Sequence, residues 1–288
     1  MMIGLILAGG NSTRLYPFNK VCSKQMLPIY DKPLIYYPIS NLLLLGIKEF
    51  VIIIKPNDKI NLFKLLGDGK QLGIKIYYVE QEKANGIPEA LILGEKYLKN
   101  KKIAMILGDN IFYGNTLTKV IQKNNINNPK CKIFLYEVDD PKAYGVATLS
   151  EKNKKITKLV EKPSKFLSRY AITGLYIFNK DAIEKAKKLK KSDRGEYEII
   201  DLLKNYLKEK TIDYQILERG FFWIDAGTPN NIFKASQMIQ LIENRNKNKI
   251  ACIEEICFSK KFINKTQYKK LILKMPNSEY KKYLESNL

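Results

Sequence analysis

Short runs of β-branched and apolar residues alternate with helix-patterned segments from the N-terminus as far as Phe178, and no other feature limits the fold as tightly. Strands that alternate with helices pair mostly in parallel, and the helices cover both faces of the sheet. The pattern predicts strands over 3–8, 50–55, 75–79, 103–107, 132–138 and 174–178. Helices are predicted over 34–45, closed by Gly46, over 61–66, and over 88–98, where Pro88 stands in the first turn. Ligands of such sheets bind beyond the carboxyl ends of the strands. Those ends carry Gly9-Gly10 and Gly108-Asp109-Asn110. After Thr228 the pattern changes. Helices are predicted over 232–242, 267–273 and 279–284, with a short strand over 251–258. The expected organisation is an α/β core over 1–228 and a helical appendage over 229–288, the latter suited to an oligomer interface.

Composition removes several classes of function. The 288 residues are 45% hydrophobic and 27% charged, which allows a large core and is ordinary for a soluble protein. No apolar stretch approaches the length of a membrane span. The opening Met-Met-Ile-Gly lacks the charged lead of a signal peptide, so a cytoplasmic location is expected. The chain has no histidine, and its four cysteines form no Cys-x-x-Cys pair. Zinc fingers and Ser-His-Asp or Cys-His chemistry are thereby excluded. Carboxylates, lysines and a metal ion are left to run any reaction. A net charge of +21 invites a nucleic-acid partner. The excess is almost all lysine, however, spread along the whole chain, whereas arginine is the residue of bidentate phosphate and base-edge contacts. An evenly basic surface suits small polyanions, so neither nucleic acid nor membrane is expected as a partner.

The N-terminal strand runs into Gly9-Gly10, where backbone N–H groups can approach phosphate oxygens with no Cβ in the way. Arg14 adds a forked cation and Lys24 a point charge. This is neither a Walker loop nor a dinucleotide fingerprint. Taken singly, each candidate has a plain alternative. Asp109 could cap a helix, Asp225 could sit in a turn, and Glu161-Lys162-Pro163 could be a solvated ion pair.

Taken in order, the segments resemble the glucose-1-phosphate thymidylyltransferases, in their short bacterial form. The resemblance rests on Leu5-Ile-Leu-Ala-Gly-Gly-Asn-Ser-Thr-Arg-Leu-Tyr-Pro17, Ser23-Lys-Gln-Met-Leu-Pro28, Leu107-Gly-Asp-Asn-Ile-Phe-Tyr-Gly114 and Asp140-Pro-Lys-Ala-Tyr-Gly-Val146. It continues through Glu161-Lys-Pro163, Tyr170-Ala-Ile-Thr-Gly-Leu-Tyr176, Arg194-Gly-Glu196 and Trp223-Ile-Asp-Ala-Gly-Thr228. It implies a Rossmann-like, GT-A-like nucleotidyltransferase sheet and condensation of dTTP with a sugar-1-phosphate. Gly9, Gly10, Asn11, Ser12, Thr13 and Gln25 would hold the nucleotide, with Gln81 and Gly86 reading the base. Arg14, Lys24 and Lys162 would be the catalytic cations, and Asp109 and Asp225 the ligands of Mg²⁺. Asn110, Tyr144, Gly145, Glu161, Ile172 and Tyr176 would line the sugar pocket. A homotetramer is the assembly that the resemblance implies, and feedback inhibition by dTDP-rhamnose stands as a hypothesis.

Four positions depart from the family pattern: Pro88, Glu89, Ala226 and Pro229. Glu89 follows the base-reading glycine and accepts hydrogen bonds only, which would favour guanine unless it caps a helix or faces solvent. UTP or GTP, or another sugar-1-phosphate, therefore stand as alternatives to dTTP and glucose-1-phosphate. From a different class, a non-catalytic sugar-nucleotide sensor would not need both aspartates and all three cations.

Overall fold

The computed structural model describes residues 2–288 apart from Asn115 and Asn153. Its core is a nine-stranded sheet. The first half contains β1 (Met2–Ala8), β4 (Glu49–Ile54), β5 (Lys75–Glu80) and β6 (Lys102–Leu107), all parallel in the order β6-β1-β4-β5. Between β1 and β4 lie a small hairpin, β2 (Pro28–Ile29) and β3 (Lys32–Pro33), and helix α1 (Tyr36–Leu44). Helix α2 (Lys59–Leu66) connects β4 to β5, and α3 (Glu89–Leu93) and α4 (Glu95–Leu98) precede β6. The single helix expected over 88–98 is thus two short ones that meet at Gly94.

Beyond β6 the sheet continues in a way the alternation did not foretell. After β7 (Asn110–Tyr113) and α5 (Leu117–Gln122) come β8 (Cys131–Glu137), β9 (Gly145–Leu149), β10 (Ile156–Glu161) and the long β11 (Tyr170–Phe178). Strand β11 runs antiparallel to β6, β8 and β9, and β9 runs antiparallel to β10. Helices α6 (Ala182–Lys187) and α7 (Ile199–Lys208) follow, and β12 (Ile212–Ile216) pairs in parallel with β8. Strand β13 (Phe222–Asp225) leaves the main sheet to pair with β7.

Residue alternation assigns each strand's side chains to one face or the other. Ile3, Leu5, Val51, Ile53, Ile103 and Met105 pack against α3, α4, α6 and α7. Ile6, Ile52, Ile54, Ala104 and Ile106 face α1, α2 and the C-terminal helices. Strands buried on both faces read as continuous apolar runs, as β4 does in Phe-Val-Ile-Ile-Ile.

Past Thr228, which caps the next helix by accepting from the Asn231 N–H, come α8 (Pro229–Asn246), α9 (Ile253–Ser259), α10 (Lys265–Leu273) and α11 (Glu279–Ser286). The short strand expected over 251–258 is α9. Ile253, Ile256 and Cys257 recur at helical spacing, and Glu254 is buried with its carboxylate accepting from Tyr280 Oη. Residues 229–288 have no separate core: Ile253, Cys257, Tyr268 and Leu284 join the cluster around Ile6 and Ile52.

An ion network ties α8 to the β2–β3 hairpin. The Lys32 ammonium is 2% exposed and donates to Glu243 Oε1 at 2.9 Å and to Asp31. Glu243 also accepts from the Ile250 N–H at 2.7 Å. Removing Glu243 alone leaves the buried Lys32 charge with Asp31 as its remaining partner and under-compensated, whereas removing Lys32 as well does not. Glu243→Leu is expected to lower stability by about 3 kcal/mol, and the pair K32M/E243L by less. Urea denaturation of the two variants checks this; a double variant less stable than E243L would contradict it.

Candidate active site

The site begins where two parallel neighbours end together. Leu7 of β1 lies opposite Leu107 of β6, and the Gly108 N–H donates to the Leu7 carbonyl at 2.8 Å. The loops that follow, Gly9-Gly10 and Gly108-Asp109, are therefore side by side. They open onto a cleft of about 260 Å³ that also takes in Lys24, Gln25, Gln81, Gly86, Glu161 and Lys162.

The second aspartate arrives by a different route. Strand β13 pairs antiparallel with β7, and Asp225 stands opposite Asn110. The Ala226 N–H donates to the Asp109 carbonyl at 2.8 Å, which fixes the chain of one aspartate against that of the other. Asn110 locks the junction. Its Oδ1 accepts from Trp223 Nε1 at 2.6 Å and from the Gly174 N–H at 3.0 Å, and its Nδ2 donates to Asp109 Oδ1 at 3.0 Å. Gly174 lies where the β11–β8 register shifts. Asn110 is thus buried with both ends of its amide engaged within the protein, one of them on Asp109.

The two carboxylates are electrostatically unequal. Burial opposes the charge on Asp109, but the adjacent Lys24 ammonium and its hydrogen bond outweigh that and hold the carboxyl below its usual range. Burial, and then the charge of Asp109, push Asp225 up to about 7. Arg14 is 3.8 Å from Asp225 Oδ2, while Oδ1 is buried with no hydrogen-bond partner. Two facing carboxylates with an unpaired oxygen between them fit a divalent cation. Among the described residues no group of three or more His, Cys, Asp or Glu side chains could enclose a metal. Substrate phosphates and water would have to complete the shell, as suits Mg²⁺.

The remaining expected residues divide by position. Asn11, Ser12 and Thr13 form the loop after Gly10, with Ser12 left-handed at φ 53. Gln25 is fully buried and lines the cleft with both amide atoms unpaired, which marks it as awaiting a partner. Lys162 sits at φ 40, an uncommon conformation for a non-glycine residue, and lines the cleft 3.6 Å from Glu161. Gly145 is the register partner of Glu161, and the Tyr144 ring tilts onto Trp223 with centroids 5.1 Å apart. Ile172 and Tyr176 are buried on β11, only 6% and 3% exposed, so they back the site without lining it.

The far wall went unassigned in the sequence. Arg194, Glu196, Tyr197 and Glu198 line the cleft ahead of α7. Arg194 bonds Glu198 at 2.7 Å and lies 3.5 Å from Glu161. The Tyr197 N–H donates to the Asn85 carbonyl at 2.7 Å, which brings this wall against the loop between Gln81 and Gly86. Gly86 is required there: its φ is +106, and a Cβ would stand 2.1 Å from the Tyr197 carbonyl oxygen. The motif Arg194-Gly-Glu196 was the available signal, but spacing alone does not show which loop it meets.

Glu89 neither caps a helix nor faces solvent. Its carboxylate oxygens accept from Gln81 Nε2 at 2.6 Å and Asn85 Nδ2 at 2.7 Å. One oxygen is thus tied to Gln81 and the other to Asn85, which holds the carboxylate within the protein's own network.

Comparison with known proteins identifies the family. The Nucleotidyl transferase family matches residues 3–241. A glucose-1-phosphate thymidylyltransferase of Neisseria meningitidis serogroup A is 41% identical over 98% of both chains. That of Xanthomonas campestris pv. campestris is also 41% identical, over 98% of this chain and 95% of its own. A crystal structure described as a glucose-1-phosphate thymidylyltransferase from Bacillus anthracis superposes with a TM-score of 0.75 at 37% identity, covering 83% of this chain and 95% of that one. A UDP-glucose pyrophosphorylase complexed with UDP-glucose gives a TM-score of 0.73 at 25% identity, over 86% and 100% of the two chains. The chain belongs to the Nucleotidyl transferase family and, within it, to the glucose-1-phosphate thymidylyltransferases.

Proposed function

We propose that this enzyme condenses dTTP with α-D-glucose-1-phosphate to give dTDP-glucose and pyrophosphate. The observation that carries the reading is the pair Asp109 and Asp225, set beside Lys24 at the edge of the Gly9-Gly10 loop. Two polyanions must meet there, so the site has to neutralise charge and align an attacking oxygen with a leaving group. Asp109 and Asp225 would hold Mg²⁺, which when bound supplies Lewis-acid neutralisation of phosphate charge.

The chain's own groups do the positioning. Backbone N–H groups of Gly9 and Gly10, with Arg14 and Lys24, bind the nucleotide phosphates. Lys162 holds the sugar's phosphate and Glu161 the sugar hydroxyls. A phosphate oxygen of glucose-1-phosphate attacks the α-phosphorus, and the bond to the pyrophosphate oxygen breaks with its electron pair. That nucleophile is already ionised near neutral pH, so no histidine base is needed. Gln81 suits thymine and uracil equally, since both pair a ring N–H with carbonyl oxygens. Uridylyl transfer is therefore the second reading, and the likeness to UDP-glucose pyrophosphorylase favours it over guanylyl transfer. A cytoplasmic homotetramer goes with this function.

Pyrophosphate release with Mg²⁺ and glucose-1-phosphate, measured for dTTP, UTP, GTP, CTP and ATP, tests the proposal. The expected order places dTTP first and UTP second; no release with any nucleotide would leave a sensor in place of an enzyme. Direct displacement also predicts inversion at the α-phosphorus of a single diastereomer of the α-thio nucleotide. Retention would require a covalent intermediate and contradict the mechanism.

A further inference from the structure

Glu198 stands at the extended position that opens α7, yet its side chain makes no cap for that helix. It turns back across the loop before it. Its Oε1 accepts from Ser192 Oγ at 2.6 Å and from Arg194 Nε at 3.2 Å, and its Oε2 accepts from Arg194 Nη2 at 2.7 Å. Two parallel bonds from a guanidinium to a carboxylate fix direction as well as distance. The loop that carries them is itself closed. The Ser192 N–H donates to the Glu196 carbonyl at 2.9 Å, and the Gly195 N–H to the Ser192 carbonyl at 2.8 Å.

A second carboxylate competes for the same guanidinium. Arg194 Nη2 lies 3.5 Å from Glu161 Oε1, and Lys162 Nζ lies 3.6 Å from that oxygen. Both separations are longer than an N–H···O hydrogen bond. Glu161 lines the cleft, and its Oε2 would stand 3.3 Å from a Cβ on Gly145. The Arg194 side chain is 45% exposed, so packing restrains it little and its partners set where it rests.

We infer that Glu198 is a positioning residue: by holding Arg194 it keeps the guanidinium off Glu161 and leaves that carboxylate free for the sugar hydroxyls. The inference rests on Glu161 being the sugar contact of the proposed function. A charged acceptor holds a guanidinium about twice as strongly as a neutral one. Glu198→Gln keeps the shape of the side chain and one acceptor but gives up the charge. Glu161 then becomes the stronger partner, and Arg194 has only a short way to move to reach it.

The test measures KM for glucose-1-phosphate and for dTTP in the wild type, E198Q, R194M, E198Q/R194M and E161Q. KM does not depend on the fraction of enzyme that folds, so partial misfolding leaves it unmoved. E198Q is expected to raise KM for glucose-1-phosphate about tenfold with KM for dTTP unchanged. In the R194M background it should add no further rise, because its effect passes through Arg194. A rise of the same size in that background, or an equal rise for both substrates, would overturn the inference and leave Glu198 as a support of the loop. KM for glucose-1-phosphate unchanged in E198Q but raised in E161Q would also overturn it, with Glu161 still the sugar contact. An unchanged value in E161Q would overturn the reading of Glu161 itself, and the inference with it.

Discussion

The antiparallel pairing of β7 with β13 is the contact on which the site depends. It places Asp225 opposite Asn110, next to Asp109, and so joins the end of the nucleotide half of the sheet to the segment that leads into α8. The pairing is short, and short two-stranded ribbons are marginal without further support. Here the support is a buried hydrogen-bond junction: Asn110 takes a bond from Trp223, another from the Gly174 N–H on β11, and gives one to Asp109. Because those groups are buried, an unmet bond costs more than a met one returns. The carboxylate positions therefore follow from satisfying an amide, an indole and a peptide N–H.

Electrostatics around that junction explain how a chain without histidine can handle phosphates. Lys24 keeps Asp109 ionised, whereas at Asp225 burial and the charge of Asp109 outweigh the nearby Lys24 and Arg14 and raise the carboxyl. A divalent ion would remove that imbalance, since it needs both carboxylates charged. The far wall carries its own balance, with Arg194 shared between Glu198 and Glu161. Cations and anions thus alternate around the cleft. Its selectivity for a substrate then depends on fixed positions more than on net charge, even in a chain as basic as this one.

How much of this could be read from the sequence depended on how local each feature is. Strands β1, β4 and β6 were legible because they are buried on both faces, and β1 and β6 also run into glycine. The loops Gly9-Gly10 and Gly108-Asp109 were legible for the same reason. The antiparallel half was partly hidden: β9, β10 and β12 are only partly buried and carry polar residues that break the apolar run, and β11 hides a register shift at Gly174. The segment that forms α9 read as a strand because Ile253 and Ile256 are β-branched, while its helical spacing was masked by a glutamate that tertiary contacts bury. Gln81 was legible as a candidate only through family resemblance. Its orientation was not, because the bond it gives to Glu89 and the bond from the Tyr197 N–H to the Asn85 carbonyl depend on loops that meet only in the folded chain.

The central claim is that Asp109 and Asp225 act as one unit. The most direct test measures kcat/KM for pyrophosphate release in D109N, D225N and the double variant, at saturating Mg²⁺. The account predicts that each single change lowers the value at least about a hundredfold. It also predicts that the double variant falls no further than the weaker single one. Losses that multiply in the double variant would mean that the two carboxylates act independently, contrary to the shared site that the β7–β13 pairing builds.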